Sequence, residues 1–130
     1  MSIRDTLIQE AKQARLSAYT PYSHFKVGAA VYTKSEKIFR GCNIENSSYG
    51  ATVCAERVAL FTAYSQEERE IDAIAIVADT ETPCPPCGIC RQVIIELAGD
   101  IEIILANLRD DVRVLKASEL LPDAFTSEFL

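Results

Sequence analysis

The sequence has a single histidine, few basic residues and no long apolar run. Its longest unbroken apolar stretch runs only from Ala73 to Ala78, far short of the ~20 residues that span a membrane. The opening Met1-Ser2-Ile3-Arg4-Asp5 lacks the apolar core and cleavage site of an export signal. A cytoplasmic protein with no membrane partner is the expectation. Lys and Arg number 13 against 19 Asp and Glu, a net charge of −6. That balance disfavours a nucleic-acid partner, whose affinity comes largely from basic side chains on phosphates. No repeat, low-complexity stretch or Gly/Ser-rich linker divides the chain. Its 130 residues fit one domain spanning 1–130. With 48% hydrophobic and 25% charged residues, the composition is that of an ordinary globular protein rather than a disordered one.

Cysteine, by contrast, is plentiful: Cys42, Cys54, Cys84, Cys87 and Cys90. An odd number in a chain without an export signal fits a disulfide framework poorly and suits metal-binding or catalytic thiols. Because His24 is the only histidine, any metal site must be built mainly from thiolates.

The pattern of apolar residues places these thiols. Ile3, Leu7, Ala11, Ala14 and Ala18 recur at helical spacing after a capping Ser2, and Thr20-Pro21 ends that helix. Gly28 to Thr33 and Ile38 to Gly41 read as a hairpin, and Cys54 to Tyr64 as a buried helix. Ala73 to Ala78 reads as a strand covered on both faces, Gly88 to Ala98 as a second helix, and Ile101 to Leu105 as another buried strand. Val112 to Leu115 forms a short strand, and Ser118 caps a last turn. The alternation predicts a three-layer α/β fold, α-β-α, around a central sheet, with the last Ile- and Val-rich strands buried.

Cys54 and Cys87 both fall at predicted helix starts, where free N–H groups and a partial positive charge favour the thiolate. Two such starts on neighbouring strands would meet at one ion. Cys87-Gly88-Ile89-Cys90 overlaps a second Cys-x-x-Cys, Cys84-Pro85-Pro86-Cys87. A ligating sulfur is supported by backbone N–H groups of the residues that follow, and the two prolines offer none after Cys84. Cys54, Cys87 and Cys90 are therefore the expected ligands. Cys84 and Cys42 are expected to be spectators, with a redox pair or a fourth ligand from Cys84 as lesser alternatives. Three thiolates on Zn²⁺ leave a fourth position for water, as in catalytic sites. Glu56, two residues after Cys54, is either a carboxylate stabilising the helix start or a general acid/base beside that water.

Cys54-x-Glu56 followed by Pro86-Cys87-x-x-Cys90 resembles the signature of zinc nucleobase deaminases. Further segments extend the resemblance to the small homotetrameric cytidine deaminases: Tyr22-Ser23-x-Phe25-x-Val27-Gly28-Ala29-Ala30, Gly41-x-Asn43-x-Glu45-Asn46 and Leu120-Leu121-Pro122-x-x-Phe125. Pro85 stands where the family often has a small residue. The resemblance implies a five-stranded mixed sheet and hydrolytic deamination of cytidine and 2′-deoxycytidine in pyrimidine salvage. Zinc-bound hydroxide would attack C4 while Glu56 shuttles protons. It further implies that Phe25 packs on the base, that the backbone of Ala55 contacts it, and that Asn43 and Glu45 bind the ribose. Tyr49 and Phe125 would reach the active sites of neighbouring subunits in a homotetramer. The three-thiolate site carries a formal charge of −1, so Arg57 is either a donor that draws off charge or a solvent-facing helix residue. Glu45 would repel phosphate oxygens, which favours free nucleosides over nucleotides.

Overall fold

The computed structural model describes residues 1–130. Helix α1, Ile3–Arg15, begins with a reciprocal cap: the Asp5 N–H donates to Ser2 Oγ, and the Ser2 N–H donates back to the Asp5 carboxylate. Leu7, Ile8, Ala11 and Ala14 form its buried stripe. The helix stops three residues before Ala18, the last position of the apolar pattern. Leu16, Ser17 and Ala18 donate to carbonyls only three residues back, and Tyr19 N–H leaves for the Asn43 carbonyl at 3.0 Å.

Five strands follow the predicted order: β1, Val27–Thr33; β2, Ile38–Cys42; β3, Ile71–Ala78; β4, Glu102–Ala106; β5, Val112–Lys116. They form one mixed sheet in the order β2-β1-β3-β4-β5, with β3 and β4 parallel and the other pairs antiparallel. Helix α2, Ala55–Ser65, lies between β2 and β3, and α3, Gly88–Ala98, crosses over between the parallel pair. The two helices therefore follow β2 and β3, which are not neighbours as expected: β1 runs between them. Register explains why the helix starts still converge. Gly28 pairs with Cys42 and Val27 with Ala78, so the start of β1 and the ends of β2 and β3 share one edge of the sheet.

Helices cover both faces. On one, Leu7, Ile8 and Ala11 of α1 pack with Ala30, Ala75, Val77 and Ile104. On the other, Ala59, Leu60 and Ala63 of α2 and Ile94 of α3 pack with Val31, Ile74, Ile76 and Leu105. Two glycines admit the helices. A Cβ on Gly28 would stand 2.0 Å from the Ala11 carbonyl oxygen, and one on Gly41 would stand 2.4 Å from the Ala55 oxygen and the Ala59 nitrogen.

Two expectations at the C-terminal end fail. β4 is buried, but β5 is an edge strand with Val112 and Val114 exposed. Its Val residues reflect strand propensity without burial. The last helix, α4, Ala117–Leu120, starts one residue after Lys116, whose N–H donates to Glu119. Ser118 lies inside that turn, with its N–H on Asp100, and is not the cap.

Candidate active site

Polar side chains hold the loop between β2 and α2 against the sheet edge. Asn43 accepts from the Val27 N–H at 2.9 Å and donates to the Phe25 carbonyl at 2.8 Å. Ile44 and Val53 exchange backbone hydrogen bonds at 3.0 Å, which brings Cys54 to the N-cap of α2. Beyond β3, Pro85 and Pro86 lead to Cys87, the N-cap of α3. Arg91 clamps this approach, donating to the Pro86 carbonyl at 2.8 Å and to the Leu120 carbonyl at 2.9 Å.

Neither capping sulfur accepts a hydrogen bond from the backbone N–H groups of its own helix. Cys54 and Cys87 instead face each other with sulfurs 3.7 Å apart. Cys90, buried one turn into α3, completes a cluster whose sulfurs all lie within 4.8 Å of one another. Thiolates about 2.3 Å from a tetrahedral zinc stand about 3.8 Å apart, so the donor set and its spacing fit that ion. Cys84 is outside the cluster, which is the separation of Cys84 from the ligand set that its two following prolines predicted.

The charge distribution is uneven. Arg57 donates to Cys54 Sγ at 3.5 Å. The Cys54 thiol is lowered to about 5, first by its hydrogen bond with Cys90 and then, against burial, by Arg57 and Cys87. Cys90 is pushed up by the same bond and by burial, so of the two thiols it holds its proton more tightly. Metal binding requires that proton to leave. Glu56 is only 4% exposed, and burial, followed by the Cys54 charge, raises its carboxyl above the ordinary range. A carboxyl so placed holds and releases protons closer to neutrality than a free one.

A cavity of about 190 Å³ opens beside the sulfurs. Its wall includes Phe25, Asn43, Cys54, Ala55, Glu56 and Cys87, six positions named from the sequence. Thr52, Val53 and Ile76, to which the sequence did not point, line it too, as do Cys84, expected to be a spectator, and Pro85. Cys84 lies outside the thiol cluster, yet it forms part of the wall. Glu45 and Tyr49 line an adjoining cleft of about 330 Å³ with Tyr22 and Ser23, and Thr52 borders both spaces. Tyr49 is 76% exposed and packs edge-on against Tyr22. Phe125 reaches neither space within its own chain. It is 60% exposed, stacks on Phe129, and its carbonyl is held by Gln92.

Residues 1–106 match the model of the cytidine and deoxycytidylate deaminase zinc-binding region. The chain is 57% identical over 126 residues to the cytidine deaminase of Halalkalibacterium halodurans, covering 96% of each chain. It is 50% identical to that of Sporosarcina psychrophila, covering 97% of this chain and 93% of the relative. The crystal structure of cytidine deaminase from Burkholderia pseudomallei superposes with a TM-score of 0.93 at 53% identity, covering 96% of this chain and all of that one. With the three-thiolate cluster at the starts of α2 and α3, these likenesses establish that the chain belongs to the cytidine and deoxycytidylate deaminase family, as a hydrolase with zinc as its cofactor.

Proposed function

We propose that this chain deaminates cytidine and 2′-deoxycytidine hydrolytically, releasing ammonia and the corresponding uridine. The observation that carries this reading is the buried Glu56 in the same cavity wall as Cys54 and Cys87. Cys54, Cys87 and Cys90 would hold zinc, which would supply the Lewis acidity that makes hydroxide available near neutral pH.

The remaining work falls to the protein. Phe25 offers a face for the pyrimidine, and the helix start at Ala55 presents backbone groups to its edge. Glu56 accepts a proton from the attacking water and delivers it to ring N3. It then takes the proton of the hydroxyl now on C4, which becomes the carbonyl, and passes it to the departing amino group, so one carboxyl serves as base and acid in turn. Its raised pKa suits that double duty. Arg57 and two helix N-termini offset the surplus negative charge of the thiolates. Asn43 and Glu45 bind the ribose across the border marked by Thr52. Asn43 reaches the sugar with whatever acceptor capacity its two backbone contacts leave.

The carboxylate of Glu45 favours uncharged nucleosides, and the net charge of −6 argues against a nucleic-acid substrate. The chain works as a single domain within a homotetramer, where exposed Tyr49 and Phe125 complete sites on neighbouring subunits. Pyrimidine salvage in the cytoplasm is the corresponding role.

The deciding experiment follows the ultraviolet change as cytidine becomes uridine, comparing wild type with Glu56→Ala at measured zinc content. Turnover by the wild type and a loss of about 10²–10⁴-fold in a variant that keeps its zinc are expected. Zinc-loaded wild type that leaves cytidine intact overturns the proposal.

A further inference from the structure

Glu45 accepts three hydrogen bonds from two consecutive residues. The N–H groups of Tyr22 and Ser23 donate to Oε1 at 3.0 and 3.2 Å, and the Ser23 hydroxyl donates to Oε2. The same hydroxyl accepts from the Phe25 N–H at 3.0 Å. His24 makes this geometry possible by taking a left-handed conformation, φ 57°, between the serine and the phenylalanine. Its N–H returns to the Thr20 carbonyl at 3.0 Å.

The lone pairs can be counted. A carboxylate offers about four acceptor sites. Two backbone donors fill Oε1, and Ser23 takes one site on Oε2, leaving a single acceptor position in the cleft lined by Tyr22, Ser23 and Glu45. Ser23 has one proton and spends it on Glu45, and Phe25 N–H supplies the donor that its oxygen needs. The hydroxyl therefore joins the carboxylate of the sugar cleft to the backbone of the aromatic in the base cavity.

We propose that Ser23 is a positioning residue for sugar recognition: its hydroxyl fixes Glu45 so that one lone pair on Oε2 receives one ribose hydroxyl. This rests on the assignment of Glu45 to the ribose. Without the hydroxyl, the carboxylate is free to rotate about its last torsion and Phe25 N–H loses its acceptor. Ser23 also heads the causes that hold the Glu45 carboxyl below its ordinary range, so the acceptor stays ionised.

The test compares kcat/KM for cytidine with that for its 2′-, 3′- and 5′-deoxy analogues. Wild type, Glu45→Gln, Ser23→Ala and Ser23→Thr are measured at matched zinc content and melting temperature. One analogue should be poorer than cytidine by about tenfold in the wild type, the worth of one hydrogen bond to a charged group. Ser23→Ala should lower cytidine about tenfold more than that analogue, closing the gap between them, and Ser23→Thr should restore the difference. The inference is overturned if Ser23→Ala slows all substrates equally, or preserves a discrimination that Glu45→Gln abolishes. If Glu45→Gln itself keeps the discrimination, the ribose assignment falls and takes the role of Ser23 with it.

Discussion

The two faces of the sheet are built alike and used differently. On one, α1 begins with Ser2 and Asp5 capping each other, and its stripe of Leu7, Ile8 and Ala11 closes onto β1, β3 and β4. On the other, α2 and α3 begin with Cys54 and Cys87, whose side chains make no cap bond. The first face spends its helix start on the helix. The second leaves both starts without a side-chain cap and aims them, with three sulfurs and a buried carboxyl, at one point. An N-cap side chain contributes about 0.5–2 kcal/mol, so the second face gives up local stability for a place where metal and substrate bind.

The most severe way to break this contrast is to make the second face resemble the first. Cys54→Ser supplies the capping side chain that α2 lacks. Metal-free Cys54→Ser should be about 1 kcal/mol more stable than metal-free wild type. Its zinc content should fall well below one per chain, and turnover should vanish with it. Calorimetry and metal analysis on the same samples check both halves, and a full zinc equivalent in the variant would contradict the ligand set.

The glycines sharpen the comparison. Gly28→Ala presses a Cβ on α1, and Gly41→Ala presses one on the first turns of α2. Each should cost about 1–3 kcal/mol through overpacking. Only Gly41→Ala should also weaken zinc retention against a chelator, because Ala55 follows the ligand Cys54. Equal retention in the two variants would show that the start of α2 tolerates displacement.

Arg57→Ala is the mildest change. It removes the donor at 3.5 Å from Cys54 Sγ and leaves all three sulfurs. Turnover of cytidine should fall about tenfold at full zinc occupancy, as expected for one charge-assisted hydrogen bond. Unchanged kinetics would show that the contact with Cys54 carries no weight in turnover.

Much of the site was legible because its chemistry is local. Cys87 heads a helix for reasons contained in Pro86-Cys87-Gly88, and α3 begins at Gly88 and ends at Ala98 as its spacing predicts. The prolines after Cys84 set it apart from the expected ligands, and its sulfur lies outside the cluster of the other three. Thr52, Val53 and Ile76 carried no such signal. Ile76 belongs to a strand that reads only as buried, and nothing in its neighbours distinguishes a residue beneath a cavity from one in plain core. The exposed valines of β5 mislead for a similar reason: strand propensity is a property of the residue, whereas an edge position depends on there being no further strand.

Local sequence names the groups to which the chemistry is assigned under the proposed function: three thiols, one carboxyl beside them, and helix starts to stabilise the charge. It determined the order of strands and helices because periodicity is a local property. That β1 runs antiparallel between β2 and β3, bringing the ends of both strands to one edge, emerges in the folded sheet alone. Only there do Cys54 and Cys87 come within 3.7 Å of each other. Only there does a serine in a polar turn meet Glu45. Scarcity of histidine dictated thiolate ligands, but the pairing of distant strands, a non-local choice, gave those ligands a common point.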